Sequence, residues 1–324
     1  MKSGEKVVKV YELNQIETAL QQVDTVSIIE QGFVAYSNGE VVVPPVGEMI
    51  FSDPPGDVHI KYGYIKNDEY YVIKIASGFY KNQYFGIPSS DGLMLIFNQK
   101  TGELLCLLND RGYLTNVRTA AAGAVAARHL AKDSIRRIGI IGAGLQARMQ
   151  LSFLAKIVAC KDVMVWGVSN EELARYKSDM EKQGFSITTC LDANEVANCS
   201  DLIVTTTPST TPLILADAIQ KGTHITAIGS DTPVKQELDS QVLAKADIVV
   251  ADSISQCERR GEIFKALEAG VIGKDKICEL GNVIQGKAKK RSSDEQITVA
   301  DLTGVAVQDI QIAKAVYAAL NSNC

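Results

Sequence analysis

Histidine is scarce. The chain has three, His59, His129 and His224, none at metal-ligand spacing from another, and that argues against a zinc centre. Seven cysteines are present without a CxxC pair. An odd, scattered set (Cys106, Cys160, Cys190, Cys199, Cys257, Cys278, Cys324) fits reduced thiols in a cytoplasmic protein, not a disulfide framework. Long apolar runs are missing: nothing approaches the roughly 18 residues of a membrane span. The opening "MKSGEKVVKVYELNQIE" lacks the apolar centre and the small-residue cleavage site of a secretory signal. Positive charge is not in excess either. The formal net charge is -5, whereas a nucleic-acid partner asks for a basic face. "KAKKRSS" at 287–293 is the densest basic run, and it reads as a solvated loop. No metal, nucleic acid or membrane is expected as a partner.

What is there is an ordinary globular composition, 46% hydrophobic and 22% charged over 324 residues. A single core stops growing near ~250–300 residues, so two domains are expected. After an opening helix over 13–38, the first domain, 1–117, carries short β-rich runs: "DVHIKYGYI", "YYVIKIASGF", "GLMLIFNQ" and "GELLCLLND". "FNQKTGELL" is a hairpin signal. Then "TNVRTAAAGAVAARHLAK" (115–132) is helical by alanine content, with Thr115 or Asn116 as its N-cap. From there to 302, strands "RRIGIIG", "VMVWGV", "SITTC", "DLIVTTT", "HITAIG" and "DIVVAD" alternate with helical stretches. Such alternation means a parallel sheet covered on both faces. The fold class is therefore α/β: a Rossmann-type doubly wound parallel sheet in 118–302 plus an α+β domain in 1–117. A long amphipathic helix in 303–324 comes after the last loop.

"RRIGIIGAGLQARMQ" matches G-x-G-x-x-A at Gly142, Gly144 and Ala147, directly after a strand and opening a helix. Gly142 permits the tight turn and Gly144 lets a pyrophosphate approach the backbone. Ala147 allows close packing, and the helix N-terminus, with Leu145 and Gln146, faces the anion. A dinucleotide site is expected. The second strand ends "WGVSN", with no acid to bind a ribose 2′-hydroxyl and no arginine for a 2′-phosphate. Ser169 and Asn170 suit either form, so the cofactor is NADPH or NADH. Thr206, Thr207 and Pro208 end the fourth strand at the same edge and line the cofactor, or are merely a β-branched strand terminus. Gly229 and Ser230 close the fifth strand similarly.

Four charged residues call for an account. Arg118 sits beside Ala120, Ala121 and Ala122, a setting that suggests burial, and a buried guanidinium needs an anion. Either a ligand carboxylate or a protein acid supplies it. Lys74 interrupts an apolar strand as an anion contact or as a snorkelling edge lysine. Lys61 taken alone reads as a surface lysine. Asp231, in "GSDTPVKQEL", is an N-cap or Asx turn by local chemistry. By position it is a carboxylate beyond the carboxyl end of a parallel strand, where ligands bind, and there it manages a proton.

In order and spacing, "VIKIASGFYKN", "RTAAAGAVAARHLA", "IGIIGAGLQA", "GSDTPVKQEL" and "DLTGVAVQD" resemble the ornithine cyclodeaminase/mu-crystallin family across nearly the whole chain. The resemblance implies that the first domain binds substrate and pairs with its copy in a homodimer, completed by the C-terminal helix, while the Rossmann domain holds NAD(P). It implies that Lys74 and Arg118 contact the substrate carboxylate, that Asp231 is the catalytic aspartate, and that Ser89 or Ser90 falls near substrate. One departure stands out. Where family members commonly carry an arginine after the early "PP", this chain has Val46, and Lys61 is a candidate replacement.

Two chemistries fit. In one, NAD(P)H reduces a cyclic imino acid, Δ1-pyrroline-2-carboxylate to L-proline or its six-membered homologue to L-pipecolate. In the other, L-ornithine is cyclised to L-proline with loss of ammonia in a redox-neutral cycle on NAD. The family's reductase members share "HIK…KIASG…PSS…GYLT" with this chain, which tilts the reading to the reductase. Open-chain amino-acid substrates and a non-catalytic, mu-crystallin-like ligand-binding protein are the other readings.

Overall fold

The computed structural model describes residues 8–322. The chain divides into two compact units, Met1–Arg118 with Val305–Cys324, and Thr119–Gly304.

In the first unit the strands are β1 (Lys9–Glu12), β2 (Val41–Val42), β3 (Gly47–Ser52), β4 (Pro55–Ile65), β5 (Tyr70–Gly78), β6 (Ser90–Asn98) and β7 (Leu104–Asn109). Their order is β1-β7-β6-β5-β4-β2, with β3 also on β4. All pairs are antiparallel except β1 with β7. The β6–β7 turn is pinned by Asn98, whose side chain accepts the N–H groups of Lys100 and Thr101. The expected single helix over 13–38 is two, Leu13–Leu20 and Thr25–Ser37. Asp24 explains the break: its carboxylate accepts the Ser27 N–H at 3.2 Å and starts a second helix. The final helix, Ala306–Ser322, packs on β4, on β5 and on Thr25–Ser37, burying Val307, Ile310, Ile312 and Ala313.

The alanine-rich helix spans Tyr113–Leu130 and carries the boundary between the units at Arg118. It starts earlier than the sequence suggests. Asp110, not Thr115 or Asn116, serves its first turn by accepting the Leu114 N–H at 2.7 Å, leaving the two expected caps inside the helix.

The second unit is an eight-stranded sheet, parallel throughout. Its strands are β8 (Ile138–Ile141), β9 (Asp162–Trp166), β10 (Ser186–Cys190), β11 (Leu202–Thr205), β12 (His224–Ala227), β13 (Ile248–Ala251), β14 (Ile277–Glu279) and β15 (Thr298–Asp301). The order is β10-β9-β8-β11-β12-β15-β13-β14. Every residue of β8, β11, β12, β13 and β15 is buried, as expected for strands covered on both faces. The order reverses between β8 and β11, the doubly wound switch point at which such sheets bind ligands. Two strands exceed the six expected, and the later of them, β15, inserts between β12 and β13.

Candidate active site

In the second unit, β8, β11 and β12 end level, because Ile141, Thr205 and Ala227 are register partners. The residues just beyond them share one edge. Gly142 has φ 114°, a conformation that disfavours a side chain, and a Cβ there would lie 2.7 Å from Thr206 Oγ1. A Cβ on Gly144 would meet nothing within 4 Å. The helix Leu145–Leu154 follows Gly144, an N-cap residue with no side chain to cap it. Open space over an uncapped helix start suits a pyrophosphate. Arg148 fixes this turn by donating through Nη1 to the carbonyls of Ala143 and Gly144 and through Nε to Asp179 at 2.9 Å. The set fits a dinucleotide.

At the end of β9, Ser169 caps the helix Asn170–Glu181 by accepting the Glu172 N–H at 3.3 Å, while Asn170 is exposed. After β11, Thr206 Oγ1 donates to the Ile141 carbonyl at 3.2 Å, Thr207 is buried and Pro208 is exposed. After β12, Ser230 is buried and donates to the Lys235 carbonyl at 2.8 Å. That bond closes the turn carrying Asp231. Asp231 caps no helix: the next one starts at Ser240 under Asp239. Its side chain is 42% exposed, and Oδ1 accepts Lys235 Nζ at 2.7 Å.

Behind this edge lies Glu237, which sequence reasoning passed over inside the very motif that drew attention to Asp231. It is fully buried. Oε2 accepts the Thr205 hydroxyl at 2.6 Å and the Gly229 N–H at 2.9 Å, and Oε1 accepts the Thr207 N–H at 2.5 Å. Its own N–H and that of Leu238 donate to the Glu262 carboxylate. Burial pushes Glu237 up to about 7. Burial, then the neighbouring Glu237, push Glu262 up to about 8.

The first unit gathers three cations. Lys61 and Lys74 are directly opposite on β4 and β5, and both are buried, at 7% and 2% exposure, as is Arg118 at 5%. The surface reading of Lys61 is thus corrected: its alternating position on β4 turns it inward. What pairs with Lys74 and Arg118 is Asp309, on the C-terminal helix. Its Oδ1 accepts Arg118 Nε at 3.0 Å and lies 3.5 Å from Lys74 Nζ, and Arg118 Nη1 donates to Gln308 Oε1 at 2.7 Å. Asp309 Oδ2 is buried with no hydrogen-bond partner among the described residues. Burial raises the Asp309 pKa, but Lys74, Arg118 and Lys61 outweigh it and hold the carboxyl below its ordinary value. Lys74 is pushed down to about 7, chiefly by burial, against the pull of Asp309. Of the two sequence readings of Arg118, the structure shows the pairing with a protein acid, and Nη2 stays outside those two bonds. Ser90 is not brought to this cluster. It is exposed and pairs with Gly78, four residues along β5 from Lys74, or ~13 Å at the usual strand rise. Among the described residues no group of three or more His, Cys, Asp or Glu could hold a metal ion, and no helix is long and apolar enough to cross a membrane.

The model of the ornithine cyclodeaminase/mu-crystallin family matches residues 5–323. The chain belongs to that family. Members of the ornithine cyclodeaminase/mu-crystallin family similar to it include an uncharacterised cyclodeaminase of Sinorhizobium fredii, 39% identical over 95% of this chain and 93% of the relative. Among solved structures, an archaeal alanine dehydrogenase dimer with bound NAD superposes with a TM-score of 0.90 at 33% identity, covering 98% of this chain and 97% of the other. The Δ1-pyrroline-2-carboxylate reductase of Thermococcus litoralis, in complex with NADH and L-proline, gives 0.91 at 27% identity over 97% and 98%. The family's relatives thus span reductase, dehydrogenase and cyclodeaminase names on one fold.

Proposed function

We propose that this protein is an NAD(P)H-dependent oxidoreductase that reduces a cyclic imino acid, Δ1-pyrroline-2-carboxylate to L-proline. The observation that carries the reading is the cation cluster: Lys74 and Arg118 share one oxygen of Asp309, with Lys61 opposite Lys74. Lys74 and Arg118 lean on a single oxygen of Asp309, and a substrate carboxylate adds negative charge to both. Arg118 then offers Nη2 and the two lysines offer ammonium protons. Gly142, Gly144, Leu145, Gln146 and Ala147 hold the dinucleotide pyrophosphate, and Thr206, Thr207 and Pro208 flank the cofactor with Gly229 and Ser230. Ser169 and Asn170 take the ribose, and the absence of an acid there leaves NADPH and NADH both acceptable. Reduced nicotinamide supplies the hydride.

Asp231 supplies the rest. Its carboxylate, 2.7 Å from Lys235 Nζ, favours the protonated C=N–H form of the substrate, the better electrophile. The imine carbon gains hydride, the nitrogen keeps its proton, and the ring amine results. The protein works as a homodimer in this reading, which the archaeal alanine dehydrogenase dimer supports.

The test is to mix the protein with NADPH or NADH and Δ1-pyrroline-2-carboxylate and follow absorbance of the reduced nicotinamide. Its consumption with L-proline formed is the expected result. Proline from L-ornithine without net cofactor change would assign a cyclodeaminase instead. Cofactor binding with neither reaction would leave a ligand-binding protein.

A further inference from the structure

The proposed reaction needs cations that stay charged while buried, and resting on that reading we infer that Asp309 is the positioning residue of the carboxylate site: it fixes Lys74 and Arg118 through one shared oxygen and keeps Lys74 protonated. The geometry carries this. Lys61 and Lys74 face one another across β4 and β5, and like charges directly opposite on a sheet repel. Arg118 adds a third positive charge from the alanine-rich helix. The remaining strand neighbour of Lys74, Met94 on β6, is apolar and fully buried. Asp110, in the turn after β7, has a weaker hold: its Oδ2 is committed to the Leu114 N–H, and burial pushes it up to about 6. Asp309 is therefore the acid whose oxygen reaches both Lys74 and Arg118, at 3.5 and 3.0 Å.

Without that charge, burial and the repulsion of Arg118 and Lys61, all of which already lower Lys74, are opposed only by the weaker pull of Asp110 among these residues. A neutral Lys74 offers a carboxylate no counter-charge. Asp309 touches neither the reacting carbon nor the nicotinamide in this scheme, so its effect falls on substrate affinity and on the pH range of binding.

The test compares wild type, Asp309→Asn and Asp309→Glu. L-proline binding is titrated against pH with the dinucleotide present, alongside kcat, KM and dinucleotide affinity. Asp309→Asn is expected to move the alkaline limb of L-proline binding about one unit acidward, which by linkage weakens binding about fivefold at pH 7 and about tenfold well above it. It should leave dinucleotide affinity unchanged and saturated turnover within about threefold. Asp309→Glu is expected to restore most of the limb. An unmoved limb with unaltered KM, or a fall in kcat alone, overturns the inference. Should Asp309→Asn fail to fold, the Asp309 carboxyl is followed by NMR in the intact protein: a titration below the ordinary aspartate range is expected from its hold on Lys74 and Arg118, and an ordinary one overturns the inference. If wild type turns over no imino acid yet the limb moves, the reaction fails and the positioning role stands. If turnover is present and the limb stays, only the positioning role fails.

Discussion

The Glu237 carboxylate accepts the Gly229 N–H at 2.9 Å, and through the same oxygen it accepts the Thr205 hydroxyl at 2.6 Å. One buried acid thereby staples the loop after β11 to the loop after β12. A Cβ on Gly229 would overlap the Thr207 carbonyl and lie 2.6 Å from Glu237 Cδ. Gly229→Ala is expected to cost about 1–3 kcal/mol by overpacking, read as a fall of several degrees in Tm by calorimetry. A midpoint within one degree of wild type would mean that the staple is loose.

Glu237 and Glu262 sit near 7 and 8 in the folded protein, against ~4.3 when unfolded. The folded state therefore binds more protons between those values, and its stability is full below ~4 and declines as pH rises through 7 and 8. Tm is expected to fall over that window, and Glu262→Gln, which cannot ionise, should flatten the slope. A slope unchanged in the variant would remove these carboxyls from the pH response.

Asp231→Asn keeps the shape of the side chain and removes its charge. Turnover of Δ1-pyrroline-2-carboxylate should drop by roughly 10²–10⁴, the usual worth of a proton-handling group, with dinucleotide affinity held. Wild-type turnover in the variant would take Asp231 out of the mechanism.

Arg118→Ala withdraws the guanidinium from Asp309 and from the ligand together. The expected result is a KM raised at least tenfold and a lower Tm, since a buried carboxylate loses a partner. A KM equal to that of wild type would refute the anchoring role.

Lys74, near 7, is charged below that value and neutral above it. KM for the carboxylate substrate is accordingly expected to climb above pH 7, approaching tenfold per unit if binding requires the ammonium. A flat KM from pH 6 to 9 would show that Lys74 does not titrate in the free site.

Much of the fold is legible in the residues alone. The strand–helix alternation and the "GAGLQA" turn imply the parallel sheet, because continuous apolar strands and a glycine pair at a strand end have few other uses. Pairing at a distance is not legible in this way. Arg118 and Asp309 are 191 positions apart, and no spacing rule connects them. A signal exists, since Asp309 interrupts the buried face formed by Val307, Ile310 and Ile312, but an acid there reads equally well as a helix-start charge. Glu237 hides in the same way, beside more obvious chemistry. β15 escapes notice because "TVAD" is four residues that end on an acid and run straight into the segment before the last helix. Asp24 and Asp110 show the local limit: each sets a helix start that alanine content or periodicity places elsewhere.

Synthesis imposes an order on these parts. The unit that contains Lys61, Lys74 and Arg118 is closed by the segment Val305–Cys324, so on the ribosome the sheet of the other unit is translated whole before the counter-ion Asp309 emerges. Lys74 and Arg118 wait through 190 or more intervening residues for their acid, and a chain cut at Gly304 would never receive it.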